Sequence, residues 1–270
     1  MRPTCEHIAG RAESDGGTLA AGALITALEE KESAEGVTCI RFADAHGHSG
    51  WVSARGPIEK QRLACIQQDF RGAGLALGNL AMKNIEPARL EEYDEPLFLI
   101  THHNDGVSCL EERIEGLEQA VAARFPDDDV LEGDMNGAGL LKRGWKETGI
   151  EPAGAADVIV EAMEDSVIAI LCSGQTDLEG AAFAKKDGRI AAHVQLYGFD
   201  LSHEIMEGLK DGTVNGTVDQ QPYAQGFYPI VQLTLLKRYG LAPSDQDAGS
   251  NLVTGADVDA VEALCKQGYR

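Results

Sequence analysis

Apolar and polar positions change period repeatedly along this chain. Short apolar runs bounded by Gly, Asp or Pro alternate with longer stretches in which apolar residues recur every three or four positions. That alternation predicts an α/β protein built on parallel strands. The first half reads as a helix over 5–13, a strand at 17–21, a helix to about residue 32 and a strand over 37–43. A loop rich in Gly, His and Ser (44–57), a strand at 62–66 and a helix over 70–84 follow. The polar stretch 85–95 contains Pro87, precedes Pro96, and reads as a linker. Beyond it the pattern predicts strand 97–101, helix 108–124, strand 130–133, helices 139–148 and 155–164, strand 167–172, helix 177–185, strand 191–197, helix 202–210 and strand 214–219.

Proline at 222 opens a long helix over 222–239, as helix starts allow. Its broad apolar face of Phe227, Ile230, Val231, Leu233, Leu235 and Leu236 predicts packing against a sheet. A strand at 252–254 and a last helix complete the chain. The arrangement expected is two lobes, 1–92 with 222–250 and 93–221 with 251–270.

The 270 residues are 43% hydrophobic, enough for a sizeable core. Asp and Glu number 44 against 23 Lys and Arg, and the resulting charge of −21 repels phosphate backbones, so nucleic acid is not an expected partner. No apolar run reaches the roughly 18 to 20 residues of a membrane helix. The first residues, Met-Arg-Pro-Thr-Cys-Glu-His, show no basic leader followed by an apolar core, which fits a cytosolic chain or one whose leader has been removed. Six scattered cysteines form no Cys-x-x-Cys pair. Neither a dinucleotide fingerprint nor a phosphate-binding loop follows a strand, so no cofactor is expected.

Polar groups at the carboxyl ends of parallel strands face a ligand crevice, and this rule selects the candidate positions. His102, His103 and Asn104 follow strand 97–101, although Ser108 with Glu111 forms a capping-box pattern that explains part of this polarity. The two histidines offer metal ligands but lack a second cluster at ligand spacing, so no metal is expected. Arg113 stands in the second turn of an otherwise apolar-faced helix without a carboxylate three or four positions away. It reads equally as a forked donor to ligand hydroxyls and as a solvated arginine. Asp200 ends a strand and can alternatively cap the next helix. Gln220 lies in a polar loop where it or Asp219 can cap the helix at 222.

Gly-Phe-Asp at 198–200, the run Asp-Gly-Thr-Val-Asn-Gly-Thr-Val-Asp-Gln-Gln-Pro-Tyr at 211–223, Glu-Glu-Arg-Ile-Glu-Gly-Leu at 111–117 and Arg-Leu-Ala-Cys-Ile-Gln-Gln-Asp-Phe at 62–70 together carry a resemblance. They resemble the type I periplasmic binding proteins, the ribose-type substrate-binding components of sugar ABC transporters. The resemblance implies two Rossmann-like lobes joined by three crossovers, with a monosaccharide in the cleft and a membrane permease as partner. It implies a periplasmic or extracellular location. Arg113, Asp200 and Gln220 fall where such proteins place their sugar-hydroxyl ligands, and Asp44 lies next to another such position.

Two departures stand out. The opening strand-helix-strand unit of such proteins has no counterpart here, which predicts an incomplete N-terminal lobe with an open edge at 17–21 and self-association through it. Ser173-Gly174-Gln175 stands where an Asp or Asn is usual, leaving Gln175 as the nearest polar side chain. Weakened or altered sugar selectivity is the expectation. The leading reading is a non-enzymatic sugar-binding protein. Its competitors are a sugar-sensing effector domain, an enzyme using the His102–His103 loop, and a truncated remnant that binds nothing.

Overall fold

The computed structural model describes residues 63–93, 96–104, 106–125 and 147–269, together with the backbone of five short strands at 13–14, 25–32, 38–44, 49–53 and 141–143. The chain divides into two compact units, one ending at Cys65 and one beginning at Ile66.

The first unit is a four-stranded antiparallel sheet of β1 (Glu13–Ser14), β2 (Ile25–Glu32), β3 (Thr38–Asp44) and β4 (Ser49–Ser53), in the order β1-β4-β3-β2. This corrects two expectations. The helix expected to run to residue 32 is strand β2, paired antiparallel with β3 from Ile25↔Asp44 to Glu32↔Thr38. The loop expected over 44–57 contains β4, which pairs with β3. The physical reason is that Gly36 and Gly47 punctuate three short runs at hairpin spacing, and hairpin pairing overrides the helical spacing of Ala23, Leu24, Ala27 and Leu28. Within these described strands the expected parallel arrangement of an N-terminal lobe is not formed. The helix expected at 5–13 lies outside the described residues except for Glu13, which belongs to β1, and the edge strand at 17–21 and the strand at 130–133 lie outside them entirely.

The second unit holds a six-stranded sheet in the order β12-β10-β9-β8-β6-β7. Its strands are β6 (Leu97–Thr101), β7 (Leu141–Arg143), β8 (Val167–Cys172), β9 (Gln195–Phe199), β10 (Gly216–Asp219) and β12 (Asn251–Val253). All neighbours are parallel except β12, which runs antiparallel to β10. Strand β7 occupies part of the stretch expected as helix 139–148. Every residue of β6 and β8 is buried, as expected of strands covered on both faces.

One face packs on α1 (Phe70–Asn84) and α3 (Ser108–Arg124), with Leu77, Ile114 and Leu117 meeting Phe98, Ile100 and Phe199. The other packs on α4 (Pro152–Glu161), α5 (Gln175–Lys186), α6 (His203–Asp211) and α8 (Val258–Cys265), where Ile159, Leu178 and Ile205 meet Leu99, Ile170 and Leu196. A single turn, α2 (Pro87–Leu90), occupies the expected linker. Asp69 caps α1 by accepting from the Gly72 amide at 3.0 Å. By contrast, the Ser108–Glu111 capping box is not formed, because Val107 is the N-cap and Ser108 already lies inside α3.

Helices α1 and α3 approach to backbone contact. A Cβ at Gly74 would lie 2.1 Å from the Arg113 carbonyl oxygen, and one at Gly116 would lie 2.2 Å from that of Arg71. Only glycine fits this crossing, and the crossing fixes where Arg113 leaves the helix. Helix α1 thereby forms part of the core of the second unit, which begins at Ile66.

The helix expected over 222–239 is α7 (Pro222–Tyr239), but its packing differs from expectation. None of its residues is buried, and Ile230 and Leu233 are 66% and 51% exposed. A short parallel pair, β5 (Ile66–Gln67) with β11 (Gln246–Asp247), runs beside its start, where Gln225 Nε2 donates to the Ala248 carbonyl at 3.0 Å.

Candidate functional site

Strands β6, β8, β9 and β10 are parallel, so their carboxyl ends deliver Thr101–His103, Ser173–Gly174, Asp200 and Gln220 to one edge of the sheet. Arg113 comes to the same edge from α3. Its side chain is 3% exposed, and every nitrogen of the fork is engaged. Nε and Nη2 donate to Gln68 Oε1 at 3.0 and 2.7 Å, and Nη1 donates to the Ser173 carbonyl at 3.0 Å. Gln68 is in turn held by donating from Nε2 to the Gly249 carbonyl. The guanidinium carbon lies 4.1 Å over the Phe199 ring and 5.5 Å from that of Phe70, a cation–π arrangement that fixes its plane. Burial pulls this guanidinium below its ordinary pKa, and the Asp200 carboxylate opposes that shift.

Asp200 follows Phe199 with φ of 77°; Asp200 and Gln221 (φ 49°) are the non-glycine residues with positive φ among the described residues. A left-handed aspartate costs energy that surrounding bonds must repay. Its amide donates to the Val218 carbonyl at 2.8 Å, and its own carbonyl accepts from Thr217 Oγ1 at 2.8 Å. Gln220 Nε2 donates to Asp200 Oδ1. Burial pushes the Asp200 carboxyl above its ordinary range, while the Gln220 bond and the Arg113 charge pull it back. The capping explanation for Asp200 fails, because Ser202 caps α6 by accepting from the Ile205 amide at 3.2 Å. Asp219 meanwhile accepts from the Gln221 amide at 2.9 Å and shapes the turn into α7.

Beside this cluster lies a second one. Asp177, fully buried in the first turn of α5, accepts from Thr148 Oγ1 at 2.6 Å, Thr101 Oγ1 at 3.3 Å and Ser173 Oγ at 3.4 Å. His103 Nδ1 lies 3.5 Å from Asp177 Oδ1. The proximity of Asp177 raises the His103 imidazole above its ordinary pKa; partial burial and the Arg113 charge oppose this, and Asp200 adds to it.

Of the residues expected at the site, Arg113, Asp200 and Gln220 come together. The solvated alternative for Arg113 is overturned by its burial. Asn104 is exposed in the loop after β6, and Gln175 is exposed and donates to Glu179 Oε1 at 2.8 Å along α5, so neither joins the cluster. Asp44 ends β3 in the first unit, and its side chain lies outside the described residues. Sequence reasoning missed Gln68 and Asp177. Gln68 follows a short apolar run and precedes the α1 cap, a signal that a polar side chain is delivered by a strand end. Asp177 reads as an ordinary first-turn acid until its burial is seen. Among the described residues no group of three His, Cys, Asp or Glu side chains gathers as a metal would require.

The family model for the periplasmic binding protein domain matches residues 50–239. Over 81 residues, 29% of this chain, it is 33% identical to the xylose/arabinose-binding protein XylF of Sulfolobus acidocaldarius, a match covering 19% of that protein. Among solved structures it is similar to a periplasmic ribose ABC transporter protein from Conexibacter woesei. That similarity has 18% identity and a TM-score of 0.61 over 75% of this chain and 63% of the other. A carbohydrate transporter solute-binding protein from Agrobacterium radiobacter, solved with D-arabinose, gives 20% identity and a TM-score of 0.58 over 74% and 65%. The chain thus spans less than two thirds of the length of these relatives. Their shared fold is a mixed α/β one with parallel sheets, as in the second unit here, and the family match covers most of the chain: it belongs to the periplasmic binding protein domain family.

Proposed function

We propose that this chain binds a monosaccharide at the Arg113–Asp200–Gln220 cluster and acts as the substrate-binding component of a sugar ABC transporter, outside the cytoplasmic membrane. The observation that carries the reading is the buried Arg113 fork, held by Gln68 and Ser173 and stacked on Phe199, beside a strained Asp200. A guanidinium, a carboxylate and an amide converging at strand ends supply both donors and acceptors, and each sugar hydroxyl needs one of each. Phe70 and Phe199 contribute apolar ring surface to the same cluster. Nothing in this set is arranged as a nucleophile with its base, so the chemistry favours holding a ligand over transforming it.

The family's usual periplasmic or extracellular setting and the transporter roles of the Conexibacter and Agrobacterium relatives support the location and the permease partner. Calorimetry with D-ribose, D-arabinose, D-xylose and D-allose tests the reading. Saturable binding of at least one sugar, lost in Arg113→Ala, is the expected result; absence of binding by the folded chain at millimolar sugar contradicts it.

A further inference from the structure

Glycine at 174 has no conformational reason to be there. It is the N-cap of α5 with φ −147° and ψ 179°, extended backbone that any residue adopts. The reason is spatial. A Cβ at this position would lie 2.1 Å from Cε1 and 2.3 Å from Nδ1 of His103, so the imidazole occupies the volume that a side chain at 174 would fill. The ring edge nearest Gly174 carries Nδ1, which is buried without a hydrogen-bond partner among the described residues and lies 3.5 Å from Asp177 Oδ1. Its remaining nitrogen, Nε2, is 3.5 Å from the same Cβ point and is the one left for a ligand. The side chain is 22% exposed, neither sealed in the core nor free in solvent.

We propose that His103 is a ligand-contacting, specificity-determining residue of this site, bonding through Nε2 to a sugar hydroxyl from the space that Gly174 leaves open. The inference rests on the sugar-binding reading above and assigns a contact to that same site. Three observations support it independently of one another. In its present place the ring fills the space of a Cβ at 174, whereas the backbone there is extended and open to any residue. Asp177 is fully buried, its other three partners are neutral hydroxyls, and the imidazole is the group beside it that can bring a positive charge. The ring stands at the strand-end edge that holds the cluster, after β6 and against Gly174, which follows β8.

The contact changes character with protonation. A neutral ring with its proton on Nδ1, the side nearer Asp177, offers Nε2 as an acceptor, whereas the imidazolium offers Nε2–H as a charge-assisted donor. The charged groups facing the ring are Asp177 from α5, Asp200 after β9 and Arg113 from α3; the two carboxylates favour the imidazolium and the guanidinium opposes it. The net direction is upward from 6.5, so the donor form is kept to a higher pH than in a free imidazole and is lost as the ring deprotonates. Charge-assisted bonds to a hydroxyl are about twice as strong as neutral ones, so affinity should fall roughly five- to tenfold as pH rises through this titration.

The test is calorimetry from pH 5.5 to 8.5 with D-ribose, D-arabinose, D-xylose and D-allose on the full chain, His103→Gln and Gly174→Ala, each checked for a cooperative melt. The wild-type chain should bind more weakly at high pH. His103→Gln should bind more weakly at low pH and lose the pH dependence. Gly174→Ala should do the same without touching the histidine, because its Cβ displaces the ring. A readout that needs no variant is the His103 imidazole titration followed by NMR, which should move when the bound sugar is saturating. Wild-type affinity and pH profile in His103→Gln, or an unmoved titration in the presence of a bound sugar, overturns the role of His103 and leaves the sugar-binding reading standing. Failure of the wild-type chain to bind any of the four sugars overturns that reading and the histidine contact with it.

Discussion

Helices α1 and α7 are both bounded in the structure where periodicity predicts them, at 70–84 and 222–239, yet they live in opposite environments. Helix α1 carries Gly72, Gly74 and Gly78, poor helix formers, and is held by tertiary contact. Leu77 and Ala81 are fully buried, and Gly74 meets the α3 backbone. Helix α7 is richer in large apolar side chains and buries none of them. Where a helix begins and ends is a local property, set by Asp69 and by Pro222 and Gly240. What it packs against is a property of the rest of the chain. Apolar content alone therefore ranks these two helices in the wrong order of burial.

The contrast can be broken by substitution. Gly74→Val should cost the most, because its branched side chain has no room against the Arg113 carbonyl. A loss beyond the about 1–3 kcal/mol usual for overpacking is expected in urea denaturation, since the obstacle is backbone. Leu77→Ala should cost about 2–5 kcal/mol in the same measurement. Leu233→Ala on α7 should stay within about 0.5 kcal/mol. Equal losses at Leu77 and Leu233 would mean that α7 is covered in solution. Hydrogen exchange sharpens the same comparison, with α7 amides expected to exchange well before those of α1.

A subtler contrast sits inside the site. Asp200 is held above its ordinary carboxyl range by burial, so its ionisation is harder in the folded chain than in the unfolded one. Above the unfolded carboxyl pKa that difference subtracts from stability. It disappears once pH falls low enough to protonate the group in both states. Asp200→Asn keeps the shape, tolerates φ of 77° and removes the charge, so it should melt at or above the wild-type temperature at pH 7 while losing sugar affinity. Differential scanning at pH 7 and pH 3 checks the sign, the gain being present at the higher pH and absent at the lower.

Strands β6 and β8 of the second unit are readable because each is a continuous apolar run followed by polar residues, Leu97–Thr101 before His102 and Val167–Cys172 before Ser173. Stretch 141–143 is not, since Leu-Leu-Lys-Arg carries no period long enough to separate strand from helix. In the first unit, Ile25–Glu32 contains both a helical spacing and a strand-length run, and only its pairing with β3 decides between them. Strand ends bring Asp200 and Gln220, and the second turn of α3 brings Arg113, to the edge where the proposed site lies. Gln175, directly after the glycine N-cap, turns along its helix to Glu179 instead of over the strand ends. Gln68 and the His103–Asp177 pair depend on contacts between segments 45 and 74 residues apart, which no local pattern carries.

In the proposed site a monosaccharide sits on the Arg113 fork and the Asp200–Gln220 pair. Side-chain NMR during titration with the sugar that calorimetry selects reads that placement residue by residue. Saturable shifts of the Arg113 Nε–H and of the Gln68 and Gln220 amide groups are expected, with the Gln195 amide at the opposite end of the sheet unmoved. Shifts confined to Gln195 and its neighbours, or sugar binding that leaves Arg113, Gln68 and Gln220 untouched, would contradict it.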